Sequence, residues 1–216
     1  MTRKRLAFVA FAVFDVLLVV TFVGLWFARA NLVDERALAE LGFAQAEQPS
    51  ALGEFSLIDQ HGNPFTRTDL LGKWQFIFFG FTSCADICPL TMQELEGLYR
   101  DLETTGFQTD TGVIMVSVDP LRDTPEAMTD FLQSYHPDFV GLTGDYPEIE
   151  GLASQLFIAF SQPGEHGFLH DGDDYVVAHS DYVAVVDPEG RYRGILHAPH
   201  RRERLMQTYL AIRDGS

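Results

Sequence analysis

The sequence predicts an α/β protein in which helices flank a central mixed sheet, with a transmembrane helix at the N-terminus. Apolar runs rich in β-branched and aromatic residues alternate with helical patterns, which predicts the sheet and its helices. The last two runs are joined by the tight turn Asp187-Pro188-Glu189-Gly190, which indicates an antiparallel hairpin. The length of 216 residues suits one domain and an additional segment.

The additional segment is the N-terminus, where Arg3-Lys4-Arg5 precede an apolar run over residues 6–28. A helix that spans a bilayer needs about 20 residues. Basic residues before a span stay inside, so we expect an inner-membrane protein of a bacterium with its soluble part in the periplasm. Asp15 lies within the run, where an acid is costly and often functional or paired. A signal peptide cleaved after Ala28-Arg29-Ala30 is the alternative, but its apolar core is normally shorter.

The sequence divides into three parts. We assign residues 1–30 to a cytoplasmic tip and transmembrane anchor, 31–52 to a stalk or linker, and 53–216 to the globular domain. The net charge of −16 argues against nucleic-acid binding, which needs a basic surface. Such acidity suits the attraction of cations or of a basic partner surface.

The first half of the globular domain alternates strand, helix and strand. Residues 55–59 alternate weakly, as in an edge strand, and lead into a turn where we expect His61 to be solvated. The aromatic run 74–79 has the length of a buried strand, and leucines at helical spacing follow over 89–104. Residues 112–118 are apolar and rich in valine, as in a central strand.

The second half begins with a helix and ends with a hairpin and a helix. Thr124 and Pro125 are typical of an N-cap and a first helical position, and His136-Pro137 end that helix near residue 135. Composition and spacing predict the remaining elements: an extended segment at 140–144, a helix at 146–156, a strand at 157–160, a hairpin of strands at 182–186 and 191–196, and a closing helix at 199–213.

Both cysteines of the chain, Cys84 and Cys88, lie where the aromatic strand gives way to a helix. Open α/β sheets carry their ligands at this edge, and a helix N-terminus favours thiolate over thiol. Spacing of i, i+4 points both sulfurs to one side, so the pair could bind a soft metal or close a redox-active disulfide. A structural disulfide would gain little stability from so short a loop. Two inert buried cysteines are the other alternative.

Two further motifs follow, Ser117-Val118-Asp119-Pro120-Leu121-Arg122-Asp123-Thr124-Pro125 and Asp174-Tyr175-Val176-Val177-Ala178-His179-Ser180. Together with the anchor, the cysteine pair and the hairpin turn, these motifs resemble the Sco/SenC family over residues 53–212. Their order along the chain is the anchor, the cysteine pair, the two motifs and the hairpin turn. The resemblance implies a thioredoxin-like, copper-binding domain. It also implies a metallochaperone role, with delivery of copper to the dinuclear copper centre of cytochrome c oxidase. The copper-bearing subunit of that oxidase and other copper-handling proteins would be its partners.

By this resemblance, Cys84, Cys88 and His179 map onto the copper ligands. Two thiolates and one imidazole suit Cu(I), with Cu(II) as a further state, and three ligands leave an open position for transfer. Zinc is compatible with these donors, but a structural zinc site normally has a fourth protein ligand. On the residues alone, His179 could equally be a half-buried structural histidine.

Two acidic residues are candidates for positions around these ligands. Asp119 follows the second buried strand, where it could accept a hydrogen bond or a proton, or could serve as a turn residue at a helix entry. Asp86 lies between the cysteines and is interpreted as an acid at a helix start. An additional oxygen ligand for Cu(II) is the alternative for Asp86.

Four histidines of the C-terminal half have weaker interpretations. His166 and His170 precede the motif of His179, and we hypothesise that they form a transient landing site for copper. His197 and His200 lie beside two arginines, and we expect them to be solvated, with a small docking patch as the alternative.

Two other functions compete with copper delivery. A thiol–disulfide oxidoreductase would keep the target cysteines of the oxidase subunit reduced, and a dithiol on this fold permits that activity. Three residues between the cysteines argue mildly against it, since thioredoxin-type enzymes usually have two. A peroxide-reducing or redox-sensing protein is the third possibility, which a fold by itself does not exclude.

Overall fold

The computed structural model describes residues 3–161, 177 and 179–214. The chain forms two compact units, residues 1–40 and 41–216. The first contains helix α1 (Arg3–Glu40), which occupies the stretch where the sequence predicts a helix. Among the described residues, no helix is both long and apolar enough to cross a membrane. The membrane anchor stays a sequence-based prediction.

The described residues of the second unit form one sheet of eight strands. Their bounds are β1 (Phe43–Ala51), β2 (Ser56–Asp59), β3 (Pro64–Thr66), β4 (Trp74–Gly80), β5 (Thr111–Ser117), β6 (Val140–Thr143), β7 (Val183–Val186) and β8 (Arg191–Leu196). The strand order is β1-β8-β7-β4-β5-β6-β2-β3. Strands β4, β5 and β6 run parallel, whereas the other neighbours are antiparallel. The predicted mixed sheet is thereby confirmed.

In the part of this unit that the structure describes, four helices cover the sheet: α2 (Ile87–Thr105), α3 (Pro125–Leu132), α4 (Tyr146–Gln155) and α5 (Arg202–Asp214). On one face, the ring of Phe76 in β4 lies 6.1 Å from the ring of Tyr209 in α5. On the other face, Ile77 and Phe79 join a buried cluster that includes Leu152 of α4. Because both faces are covered, every residue of β4 is buried, which explains why the strand is apolar apart from Gln75.

The register of the central strands brings three connecting segments together at the carboxyl ends of β4 and β5. Gly80 lies opposite Ser117 in the parallel pair of β4 and β5, so the chain leaves both strands on the same side. Strand β7 is antiparallel to β4, with Val183 opposite Phe78, so the residues just before β7 also lie there. His179 is one of these residues. The topology therefore explains how residues distant in sequence can share one site.

The stretch predicted as a linker, residues 31–52, contains structure that the sequence analysis missed. Strand β1 lies in it and pairs with β8 at the edge of the sheet, so the domain begins earlier than residue 53. Only Phe43 of this strand is buried, and therefore no apolar alternation marks it. Pro49 lacks an amide hydrogen and fits an edge strand.

Two other predicted elements differ from the structure. Residues 157–160 do not form a strand. Phe157, just after the end of α4, has a left-handed φ of 58°. Phe160 makes only an isolated bridge with His179. Residues 55–59 were predicted as an edge strand, but β2 pairs with both β3 and β6, so β3 is the edge. The other predicted helices and strands are confirmed, with small shifts at their ends.

Candidate metal centre

Three side chains meet at the carboxyl end of strand β4. The ligand atoms of Cys84, Cys88 and His179 all lie within 4.8 Å of one another. Cys88 is completely buried, whereas the other two are partly exposed. Both cysteines are free thiols. Within the described part of the chain, no other group of three such side chains is close enough to hold a metal ion.

The position of the Cys88 sulfur depends on the glycine that ends β4. Cys88 lies in the first turn of α2, and Asp86 occupies the N-cap position without a side-chain capping bond. A Cβ atom at Gly80 would lie 3.0 Å from Cys88 Sγ and 2.7 Å from Cε1 of Phe78. Since glycine has no Cβ, the sulfur can approach the strand end closely. Asp86 is exposed at the helix start, as the sequence analysis expected of a helix-start acid.

The imidazole of His179 is oriented by its neighbours. Its Nδ1 donates a hydrogen bond to the carbonyl oxygen of Ser180 at 3.0 Å, so the proton is on Nδ1 and the lone pair is on Nε2. That Nε2 lies 3.7 Å from Cys88 Sγ. The rings of Phe78 and Phe81 contact the imidazole edge-on, with centroids at 5.9 and 5.8 Å. The ring is therefore packed with its unprotonated Nε2 facing the sulfur of Cys88.

The backbone next to His179 is fixed by residues that follow α4. The amide of Ser180 donates to the carbonyl of Ala159 at 2.8 Å, and the amide of Ala159 donates to Ser180 Oγ at 3.1 Å. Phe160 completes this contact through its bridge with His179. The short segment predicted as a strand therefore serves as a support for the histidine.

Burial favours the neutral forms of Cys88 and His179. Desolvation raises the pKa of the Cys88 thiol, the side-chain hydrogen bond with Cys84 raises it further, and the backbone hydrogen bond at Phe81 opposes them. Desolvation also lowers the pKa of His179. A helix N-terminus favours a thiolate, but burial shifts the pKa of Cys88 the other way, so the predicted preference for a thiolate is wrong for Cys88. A bound cation would have to displace the thiol proton.

Asp119 and Asp123 lie in the turn after β5. Asp119 is buried and forms an ion pair with Arg122, and its amide donates to Ser117 Oγ at 3.0 Å. Its predicted role beside the ligands stays a prediction. Asp123 was not predicted as a site residue from the sequence, yet its carboxylate accepts hydrogen bonds from Thr82, two residues before Cys84. The signal available was its place before the helix cap within the same motif.

The other histidines occupy different positions. His166 and His170 lie outside the described residues. His200 was expected to be solvated but is buried, and its Nε2 donates to the carbonyl of Asp181 at 2.7 Å. His197 is exposed, and its ring contacts that of Tyr182 at 4.6 Å. His61 is exposed in the turn between β2 and β3, as expected.

The chain matches a known protein family over most of its length. The family model SCO1/SenC matches residues 43–212. The chain belongs to the SCO1/SenC family. The mitochondrial protein SCO1 of Saccharomyces cerevisiae is 36% identical over 145 residues, which are 67% of this chain and 48% of that protein. This SCO1/SenC chain therefore spans about half the length, 48%, of that relative.

Solved structures of the family agree with the fold. The crystal structure of yeast Sco1 with copper bound has a TM-score of 0.69 and 32% identity, and the match covers 78% of this chain and 91% of that one. The structure of Bradyrhizobium japonicum ScoI with copper bound has a TM-score of 0.65 and 29% identity, covering 75% and 99%. The predicted family and the predicted thioredoxin-like fold are thereby confirmed.

Proposed function

We propose that this SCO1/SenC protein binds copper through Cys84, Cys88 and His179. In this proposal it delivers the copper to the dinuclear copper centre of cytochrome c oxidase while the oxidase is assembled. The observation that carries the proposal is the convergence of these three ligand atoms within 4.8 Å. Thiolates select soft ions such as Cu(I), and imidazole suits copper as well as zinc and iron. Copper bound in two related structures supports the same choice of metal.

The difference in exposure among the ligands suits transfer of the metal. Cys88 lies at the buried base of the site, whereas Cys84 and His179 are partly exposed at its rim. Three protein ligands leave a position that a thiolate of the receiving protein can take before the first ligand leaves. The ion could then pass between proteins without being released into water.

The proposed partners are the copper-bearing subunit of cytochrome c oxidase and other copper-handling proteins. The family resemblance supports this choice, and the net charge of −16 adds an electrostatic expectation. A strongly acidic chain associates fastest with a basic surface, and added salt slows such association.

We also propose that residues 6–28 anchor the protein in the bacterial inner membrane, with the domain in the periplasm. The basic residues Arg3-Lys4-Arg5 and the apolar run support this location. Alkaline extraction of membranes should leave the full chain in the pellet and release a form that lacks residues 1–30. Release of both forms would reject the anchor.

A second candidate function is reduction of the target cysteines of the same oxidase subunit. Two free thiols of unequal exposure support it, since an accessible Cys84 can attack a disulfide and a buried Cys88 can resolve the mixed disulfide. His179 has no necessary role in that exchange. Replacement of His179 therefore separates the two functions.

The test uses the copper domain of the oxidase subunit as receiver. Copper-loaded protein is mixed anaerobically with the reduced apo domain, the two proteins are separated, and the copper content of the receiver is measured. We expect transfer from the parent and none from His179→Ala. In a second arm the receiver starts with an oxidised cysteine pair. Reduction by the parent and by His179→Ala alike, without copper transfer by either, would support the reductase instead.

A further inference from the structure

A buried carboxylate connects the cysteine turn to the rest of the fold. The side chain of Asp123 is completely inaccessible to solvent. It accepts hydrogen bonds from the amide of Thr82 at 3.0 Å, from Thr82 Oγ1 at 2.6 Å and from Ser117 Oγ at 2.6 Å. All three partners donate to the carboxylate, so its oxygens are satisfied by protein groups. Such a group is costly to bury unless it is fully bonded.

These bonds join three elements beside the metal centre. Ser117 ends β5, Asp123 directly precedes the capping residue of α3, and Thr82 begins the turn that follows β4. Thr82 lies two residues before Cys84, whose amide donates to the carbonyl of Phe81 at 3.2 Å. The turn that carries the exposed thiol therefore closes on the residue next to Thr82. Movement of Thr82 would move both sides of that turn.

We propose that Asp123 is a positioning residue for the metal centre: by holding Thr82 through two hydrogen bonds, it keeps the turn of Cys84 in the geometry that a metal ion requires. The metal in question is that of the proposed function, on which this inference rests. Asp123 itself does not belong to the three ligands. Residues that orient ligands typically change metal affinity by about 10- to 100-fold when they are replaced.

The sharpest variant removes one of these bonds and changes little else. Thr82→Val deletes the hydroxyl that donates to Asp123 and preserves the shape of the side chain, whereas Thr82→Ser retains the hydroxyl. We expect Thr82→Val to weaken Cu(I) binding about tenfold in an anaerobic chelator competition, in the range for residues around metal ligands. Thr82→Ser should bind like the parent. Asp123→Asn should weaken binding further, because its amide hydrogens face the donors of Thr82 and Ser117.

A matched control distinguishes positioning from general stabilisation. Thr143 Oγ1 donates to the backbone carbonyl of Asp123 at 2.8 Å and is also buried. Thr143→Val therefore removes a bond to the same residue without releasing the cysteine turn. We expect it to lower the unfolding temperature while the copper affinity stays at the parent value. Losses of affinity that follow the unfolding temperature equally in both variants would overturn the proposal.

A measurement without metal keeps the test independent of the proposed function. In the reduced apo protein, iodoacetamide alkylates the partly exposed Cys84, and its rate reports how freely the turn moves. We expect a several-fold faster rate in Thr82→Val than in the parent, Thr82→Ser and Thr143→Val. An unchanged rate in Thr82→Val would overturn the positioning role. A parent that fails to bind Cu(I) would instead reject the proposed function.

Discussion

His179 Nε2 lies 3.7 Å from Cys88 Sγ, although 91 residues separate the two in the chain. Metal–sulfur and metal–nitrogen bonds of about 2.3 and 2.0 Å, known for a zinc-sized ion, place the two ligand atoms about 3.5 to 3.8 Å apart at tetrahedral to trigonal angles. The observed pair already has this spacing. A metal ion could therefore enter between the two atoms with little rearrangement of the protein.

We predict that Cu(I) binds more tightly as the pH rises. Burial raises the pKa of the Cys88 thiol, so at neutral pH the metal must displace its proton. The apparent Kd should fall by about tenfold per pH unit for each thiol proton displaced. Anaerobic competition titrations between about pH 6 and 8 measure this slope, because a thiol is protonated over that range. An affinity that does not change with pH would mean that the thiolate exists before the metal binds.

We predict that Gly80→Ala damages both the fold and the site. The added methyl group would lie 3.0 Å from Cys88 Sγ and 2.7 Å from a ring carbon of Phe78, which forces one of them to move. Overpacking of this kind typically costs about 1–3 kcal/mol of unfolding free energy. Chemical denaturation gives this loss, and chelator competition gives the loss of copper affinity.

The matched control for that substitution is Gly151→Ala. Gly151 lies within α4, and a Cβ atom there meets nothing within 4 Å. Alanine in a helix interior is favoured over glycine by about 1 kcal/mol, so the control should be more stable than the parent and bind copper equally. Equal destabilisation by both substitutions would remove the special role assigned to Gly80.

We predict that His200 makes the apo protein less stable in acid. Burial lowers the pKa of His200 below its ordinary 6.5, whereas Asp181 and Glu94 oppose this shift and His197 adds to it. Below pH 6.5 His200 therefore binds a proton more readily in the unfolded chain than in the folded protein. The free energy of unfolding then falls as the pH falls. One such group contributes at most about 1.4 kcal/mol per pH unit.

Denaturation curves between pH 5 and 8, about the range in which an ordinary histidine titrates, measure this effect. His200→Gln should reduce the slope of stability against pH, although His179 will still contribute because burial lowers its pKa too. If His200→Gln retained the full slope of the parent, the buried imidazole would not be its source.

The parts of the fold marked by local signals were predicted from the sequence. The aromatic run of β4 and the cap formed by Thr124, whose Oγ1 accepts the amide of Ala127 at 3.3 Å, needed only neighbouring residues. Strand β1 was missed because it is held by backbone bonds to β8, and a single buried side chain leaves no periodic pattern. Long-range pairing of this kind has no local signature.

The site was predicted only in part for the same reason. Cys84 and Cys88 follow from their spacing at a helix start, whereas His179 was assigned through the family resemblance. Asp123 was not found, because its link to Thr82 spans 41 residues and exists only once the two turns meet. The state of the Cys88 thiol was misjudged, since burial and helix end act in opposite directions and only the fold decides between them.

The central claim is that one copper ion is held jointly by the two sulfurs and the distant imidazole. X-ray absorption of the protein loaded anaerobically with one equivalent of Cu(I) tests it most directly, because the spectrum counts sulfur and nitrogen ligands. The account predicts two sulfurs and one nitrogen in the parent, and loss of the nitrogen in His179→Ala. A parent spectrum with sulfur ligands alone, unchanged by His179→Ala, would contradict it.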